Sequence, residues 1–196
     1  MKNKITYTFL ILFITIFLLS CQSEYTKLVK RELNSGVKKD SLLFDLKFGD
    51  TKKDFFDRCM TLNKKGLLTQ GPSNNYAQYT LKESKTTEKT SDIILLFYAK
   101  TNENYIITGM DMKFYYSAWA PWNENLKAKQ LIPRVKDTIL NWFPGNKFID
   151  ITLKDKSQIS IKVDGNRQIK LSEDPNSKDV NVLIENLNKK YNAEDL

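Results

Sequence analysis

The sequence predicts an α+β domain: an antiparallel sheet of two three-strand meanders plus an N-terminal strand, with helices packed on one face. Three observations carry this. Apolar and polar residues alternate at Leu42–Phe48, Tyr105–Tyr116 and Gln158–Leu171, the two-residue period of half-buried strands. Stripes of helical period lie between them at 51–65, 124–143 and 179–191. Gly49-Asp50, Gly71-Pro72, Pro144-Gly145 and Asp164-Gly165 punctuate the boundaries.

Residues 1–20 stand outside that domain. Lys2 and Lys4 precede an apolar run from Ile5 to Leu19, and Leu18-Leu19-Ser20-Cys21 has the form of a lipobox. The run is shorter than the ~20 apolar residues a membrane-spanning helix needs. The segment therefore reads as a removed signal peptide, with Cys21 the lipidated N-terminus. An ordinary membrane anchor and a plain secretory signal are the competing readings. No aspartate follows Cys21, so the expected address is the outer membrane of a Gram-negative envelope.

Residues 21–40 are expected to be a lipidated tether. Tyr25, Leu28, Val29 and Leu33 place a short amphipathic helix within it. The single α+β domain then spans 41–196. Leu42, Phe44, Leu46 and Phe48 share one strand face, and Thr51 to Asp54 opens a helix with a capping-box arrangement. That helix carries Phe55, Phe56, Cys59, Met60 and Leu62 toward the core, and Gly66 ends it. Residues 70–75 read as a loop. Strands follow at Tyr76–Lys82, Ile93–Ala99 and Tyr105–Tyr116, the last with Ile106, Met110, Met112, Phe114 and Tyr116 on one side. A helix from Glu124 to Phe143 is expected to bend or break at Pro133. Strands at Phe148–Lys154, Gln158–Val163 and Arg167–Leu171 form the second meander. Val180, Leu183, Ile184, Leu187 and Tyr191 mark a final helix over 179–191.

The hairpin before that last helix has a sharp register expectation. A three-residue connection through Asp164, Gly165 and Asn166 sets Ile161 opposite Ile169 and Ile159 opposite Leu171, keeping all the aliphatics on one face. A two-residue turn at Asp164-Gly165 would set Ile161 opposite Gln168 and divide them.

Composition excludes several chemistries. The chain has no histidine, which removes the serine triad, imidazole general bases and histidine-bearing zinc sites. With Cys21 lipidated, Cys59 has no cysteine to pair with, and its apolar neighbours predict a buried structural thiol. Neither an acidic calcium loop nor a glycine-rich phosphate loop is present. The sequence accordingly predicts no catalytic residue, no metal site and no cofactor. Net charge is +8, spread through a lysine-rich composition rather than one block. An external lipid-anchored protein has no nucleic-acid partner to meet. The Lys38-Lys39 and Lys64-Lys65 pairs suit anionic lipid and open solvent alike.

Trp119 and Trp122 flank Pro121, with Tyr115 and Tyr116 just upstream. Aromatics at a strand end form a stacking platform for a sugar or a hot spot for a protein partner. Equally, they wedge a strand–helix corner and complete a core. Asp164-Gly165-Asn166-Arg167 serves either as a polar binding turn or as a tight hairpin.

The stretch Leu33-Asn-Ser-Gly-Val-Lys-Lys-Asp-Ser-Leu-Leu-Phe-Asp-Leu-Lys-Phe-Gly, with Thr-Lys-Lys-Asp-Phe-Phe-Asp-Arg-Cys after it, resembles a group of uncharacterised bacterial envelope lipoproteins. In that group a similar strand–Gly–helix block precedes a Trp-Ala-Pro-Trp segment and a Val-Asp-Gly-Asn-Arg turn. Here these fall at Trp119–Trp122 and Val163–Arg167. The resemblance covers most of the processed chain and implies an envelope location without implying an activity. More loosely, the Gly49-Asp50-Thr51 turn into a helix on a meander is similar to small periplasmic lipoproteins that assist outer-membrane assembly. The expected function is a non-catalytic binding or scaffolding module, held by its lipid, for a protein or glycan partner. The alternative is a carboxylate-dependent hydrolase of envelope polysaccharide.

Changing Cys21→Ser should release the protein from membranes or leave the precursor uncleaved. Fractionation with a carbonate wash checks this, and a processed variant that stays membrane-bound contradicts it.

Overall fold

The computed structural model describes residues 23–72, 76–81, 91–173 and 178–189. Among the described residues three helices, α1 (Glu24–Asn34), α2 (Lys52–Lys64) and α3 (Ala128–Trp142), accompany eight strands. The strands are β1 (Thr69–Gln70), β2 (Ala77–Leu81), β3 (Ile93–Thr101), β4 (Ile107–Tyr116), β5 (Ile149–Thr152), β6 (Gln158–Asp164), β7 (Arg167–Glu173) and β8 (Val180–Asn186). All join one antiparallel sheet in the order β1-β2-β3-β4-β8-β7-β6-β5.

The α+β class and both meanders are as expected, but four features differ. First, within the stretch read as a final helix over 179–191, Val180–Asn186 form β8, which pairs with β4 on one side and β7 on the other, while Tyr191 lies outside the described residues. Val180, Val182 and Ile184 are buried at alternate positions. The run also fits helical spacing through Val180, Leu183, Ile184 and Leu187. β-Branched residues at every second position, with two open strand edges to satisfy, decide for the strand. Leu187 lies in a 3-10 turn beyond it.

Second, residues 41–48 do not make a strand. They hold one isolated bridge, Ser41 to Lys47, and a 3-10 turn at Leu43–Asp45. Phe44 and Asp45 have φ of 56° and 63°. The Leu42 N–H donates to the Leu46 carbonyl at 2.7 Å, so Leu42, Leu43 and Leu46 turn inward together instead of alternating. Phe44 meets the rings of Tyr79 and Phe97 at 5.5 and 5.1 Å.

Third, helices cover both faces. α2 and α3 pack on the main core, which contains Phe55, Phe97, Met110, Met112, Phe114, Leu131, Val135 and Ile139. α1 lies on the other face, where Leu28 and Val29 meet Ile161, Val163 and Leu187. The stretch read as a tether therefore belongs to the packed domain from Glu24 onward.

Fourth, the β6–β7 hairpin takes neither register considered from sequence. Asp164 pairs with Arg167, Val163 with Gln168, Lys162 with Ile169 and Ile161 with Lys170. The turn is the two residues Gly165-Asn166, and Gly165 has φ of 54°, the sign required at the first central position of a II′ turn. Paired residues share a face, so Ile161 and Val163 point to α1, while Ile169 and Leu171 point to the main core. Dividing the aliphatics costs nothing here, because a helix covers each face.

Other local expectations hold. Thr51 Oγ1 accepts from the Asp54 N–H, and the Asp54 carboxylate accepts from the Thr51 N–H at 2.8 Å, the reciprocal capping box. Gly66, with φ of 70°, ends α2 as the Leu67 N–H reaches back to the Leu62 carbonyl. The break expected at Pro133 is not seen: α3 runs continuously through it. A short 3-10 turn at Glu124–Leu126 precedes it. Pro133 lies early in the helix, and the missing N–H removes only the bond toward Lys129.

Ile184→Ala should cost ~2–5 kcal/mol as a buried large-to-small change. Leu183→Ala, on the half-exposed opposite face, should cost about 1 kcal/mol or less. Urea unfolding of the two variants separates the alternation of a strand from a helical stripe that would bury both.

Candidate functional site

The densest polar cluster sits at the β6–β7 turn. Lys162 is fully buried beside Asp164, Asn166, Arg167 and Gln168, themselves buried. Its Nζ donates to Asp164 Oδ1 at 2.9 Å and to the Asn146 carbonyl at 2.6 Å, and lies 2.7 Å from Asp164 Oδ2. Asp164 Oδ1 also accepts from the Asn146 N–H at 2.7 Å. Arg167 Nη1 donates to the Ser41 carbonyl and hydroxyl, each at 2.9 Å. Its Nη2 is 3.7 Å from Asp164, and the guanidinium carbon is 4.5 Å from the centre of the Phe143 ring.

The turn itself is equally engaged. Asn166 Nδ2 donates to Asp40, and Oδ1 accepts from the Lys39 N–H at 2.6 Å. The Asn166 carbonyl accepts from the Leu187 N–H at 2.7 Å, and the Gly165 N–H donates to Glu32 Oε2 at 3.0 Å. A Cβ at Gly165 would fall 2.1 Å from the Val37 carbonyl oxygen. The hairpin reading of 164–167 is thus correct, and its polar groups face the chain itself rather than a ligand.

The electrostatics follow from burial. Desolvation pushes the Lys162 amine down, against the hydrogen bond and charge of Asp164. Arg167 is lowered for the same reason, with Asp164 and Asp40 opposing. For Glu32, burial works upward, but hydrogen bonds from Gly165, Asn146 and Arg31 outweigh it and hold the carboxyl below its ordinary range.

The four aromatics singled out from sequence do not form one platform. Tyr116 is buried in the main core, and Trp119 is half-buried against it. Tyr115 is half-buried on the opposite face from Tyr116, with Lys178 Nζ 3.9 Å from its ring centre and 5.8 Å from that of Trp119. Trp122 alone projects, 84% exposed. Cys21 lies outside the described residues.

A groove of about 370 Å³, unforeseen from sequence, runs between α2 and the β1–β2 edge. Phe55, Phe56, Cys59, Met60, Leu68 and Tyr98 supply its apolar lining. Phe56 and Met60, assigned to the core from sequence, are about half exposed, whereas Phe55 and Leu62 are buried. Each residue advances ~100° around a helix, which sets Phe56 a full quadrant away from the buried stripe. One packed face could not take all five apolar residues, and that was the available signal. Cys59 is half-buried rather than enclosed, and burial pushes its thiol up to about 11. It is therefore protonated at neutral pH, in keeping with the inert role expected of it.

Among the described residues no three His, Cys, Asp or Glu side chains group as a metal site, and no helix is long and apolar enough to cross a membrane. No protein-family model, curated protein or solved structure matches the chain.

Asp164→Asn should destabilise the fold by ~3–5 kcal/mol, because Lys162 and Arg167 then lie buried without their shared carboxylate. Adding Lys162→Met should restore part of that loss. Urea midpoints of the single and double variants check the coupling, and additive losses would contradict it.

Proposed function

We propose that the protein is a lipid-anchored envelope lipoprotein that binds a protein or glycan partner without catalysing a reaction. Lipidation at Cys21 fixes it to the outer membrane, and the exposed Trp122 is its candidate contact. The observation that carries a binding role over hydrolysis is the hydrogen bonding of Asp150 and Asp155. Glycoside hydrolysis needs one carboxyl held protonated as the acid and a second ionised. Hydrogen bonds from Lys136 and Ser160 hold Asp150 below its ordinary range, and the Ser157 hydroxyl and N–H do the same for Asp155. Asp155 and Glu173 line a concavity of about 900 Å³, together with Lys129, Lys156 and Lys170. Asp155 there accepts from Ser157 Oγ and N–H at 2.6 and 3.0 Å. A carboxylate fixed this way favours its ionised form and is poorly suited to donate a proton.

A photo-crosslinking residue in place of Trp122, activated in native membranes, should capture a reproducible partner identified by mass spectrometry. Turnover of purified envelope polysaccharide, abolished by Asp155→Asn, would overturn the binding reading.

A further inference from the structure

We propose that the edge formed by α2 and the Tyr105 loop is a contact surface for an anionic phospholipid bilayer, separate from the partner contact and from the lipid at Cys21. Three large hydrophobic residues project there, Phe56 (48% exposed), Met60 (57%) and Tyr105 (63%), and Leu67 (53%) is exposed just past the end of α2. Lysines surround them. Lys52, Phe56, Met60 and Lys64 recur every four residues along α2, each the neighbour of the next in a row inclined to the helix axis, with a lysine at each end. Lys52 Nζ lies 5.9 Å from the centre of the Phe56 ring and 5.7 Å from that of Tyr105, joining helix and loop into one patch.

The acidic residues of α2 do not oppose this patch. Asp54 closes the cap with Thr51, and Asp57 pairs with Lys53. The Tyr105 backbone is also fixed in an unusual state. Its φ is 59°, a region that large side chains avoid. The Asn102 carbonyl accepts the Tyr105 N–H at 3.0 Å, and the Tyr105 carbonyl accepts the Lys52 N–H at 2.7 Å. The ring is held outward by main-chain bonds from both elements.

Charge and composition select the occupant. The cores of protein–protein interfaces are depleted in lysine. Surfaces that lie on membranes combine lysine with aromatic and long apolar side chains, the cations meeting headgroups as the apolar groups enter below them. The α2 edge has the second composition.

The test uses the chain from Gln22 onward, which contains every described element and has no lipid. It is floated with vesicles of phosphatidylglycerol and phosphatidylethanolamine, and separately with vesicles of phosphatidylcholine alone. The chain should float with the anionic vesicles and less so as salt rises. Phe56→Ser with Met60→Ser should weaken binding about tenfold or more. Lys52→Gln with Lys64→Gln should weaken it by about fivefold per lysine. Urea midpoints near that of the parent chain show that the exposed substitutions leave the fold intact. Absence of flotation, equal binding to phosphatidylcholine, or binding unaffected by both variant pairs would overturn the proposal. Capture of an acidic envelope protein at this edge without vesicle binding would overturn it too, assigning the surface to a protein. Because the lipid and Trp122 are not involved, failure here leaves the binding-module reading standing, and the converse holds.

Discussion

The architecture depends on the buried charge cluster at the β6–β7 turn. Lys162, Asp164 and Arg167 bring together the turn, the loop after α3 through Asn146, and the N-terminal segment through Ser41. Asn166 adds Asp40 and Leu187, and Gly165 adds Glu32 of α1. Desolvating such charges opposes folding, and a well-packed apolar substitute is often equally stable. Directional bonds supply something an apolar cluster lacks, which is a unique register. A one-residue slip of β6 would withdraw the Lys162 amine from Asn146 and put Val163 among polar groups. The turn therefore specifies which way each residue of the second meander points.

That register has a consequence for the whole sheet. With Ile161 and Val163 facing away from α3, the second meander needs cover on its outer side, and α1 provides it. β8 supplies the other half of the solution. It closes the gap between the two meanders by pairing with β4 and β7, which converts two small sheets with four edges into one sheet with two. The remaining edges, β1 and β5, are only two and four residues long, and short edges resist pairing with other chains. A chain divided between two local meanders thus folds as one body because its last strand joins them.

Sequence pattern disclosed those parts of the fold in which one periodicity dominated. β4 alternates over ten residues with buried methionines and Phe114, and the capping box of α2 was explicit in Thr51 and Asp54. β8 was misread because Val180, Leu183, Ile184 and Leu187 satisfy both periods, and only a neighbour with unpaired edges could choose between them. The 41–48 segment alternates in sequence, yet local hydrogen bonding at Leu42 and Leu46 overrides the pattern. In the β6–β7 hairpin, the expectation of one buried face was itself the error, since α1 had been read as a tether. At the site, the turn was legible from Asp164-Gly165, but nothing local announces a fully buried lysine. The exposure of Phe56 and Met60 was legible in principle, from the arc of helix they occupy.

The positions of the two ends of the sheet bear on how such a domain meets a membrane. α1 begins two residues after Gln22 and packs beside β6, near the β5 edge. α2 flanks the β1 edge. Seven spacings of ~4.8 Å separate the outermost strands, on the order of 34 Å along the sheet before twist is considered. A lipid joined to Cys21 would hold only the α1 end, through a linker too short to serve as a spacer, and would leave the domain free to rotate about it. A weak second contact at the distant α2 edge would remove that freedom, because a domain so anchored would already be concentrated at the bilayer. A few projecting apolar side chains and lysines would then suffice, where they could not retain a freely diffusing protein. The orientation so fixed would determine which way Trp122 and the opposite sheet face look.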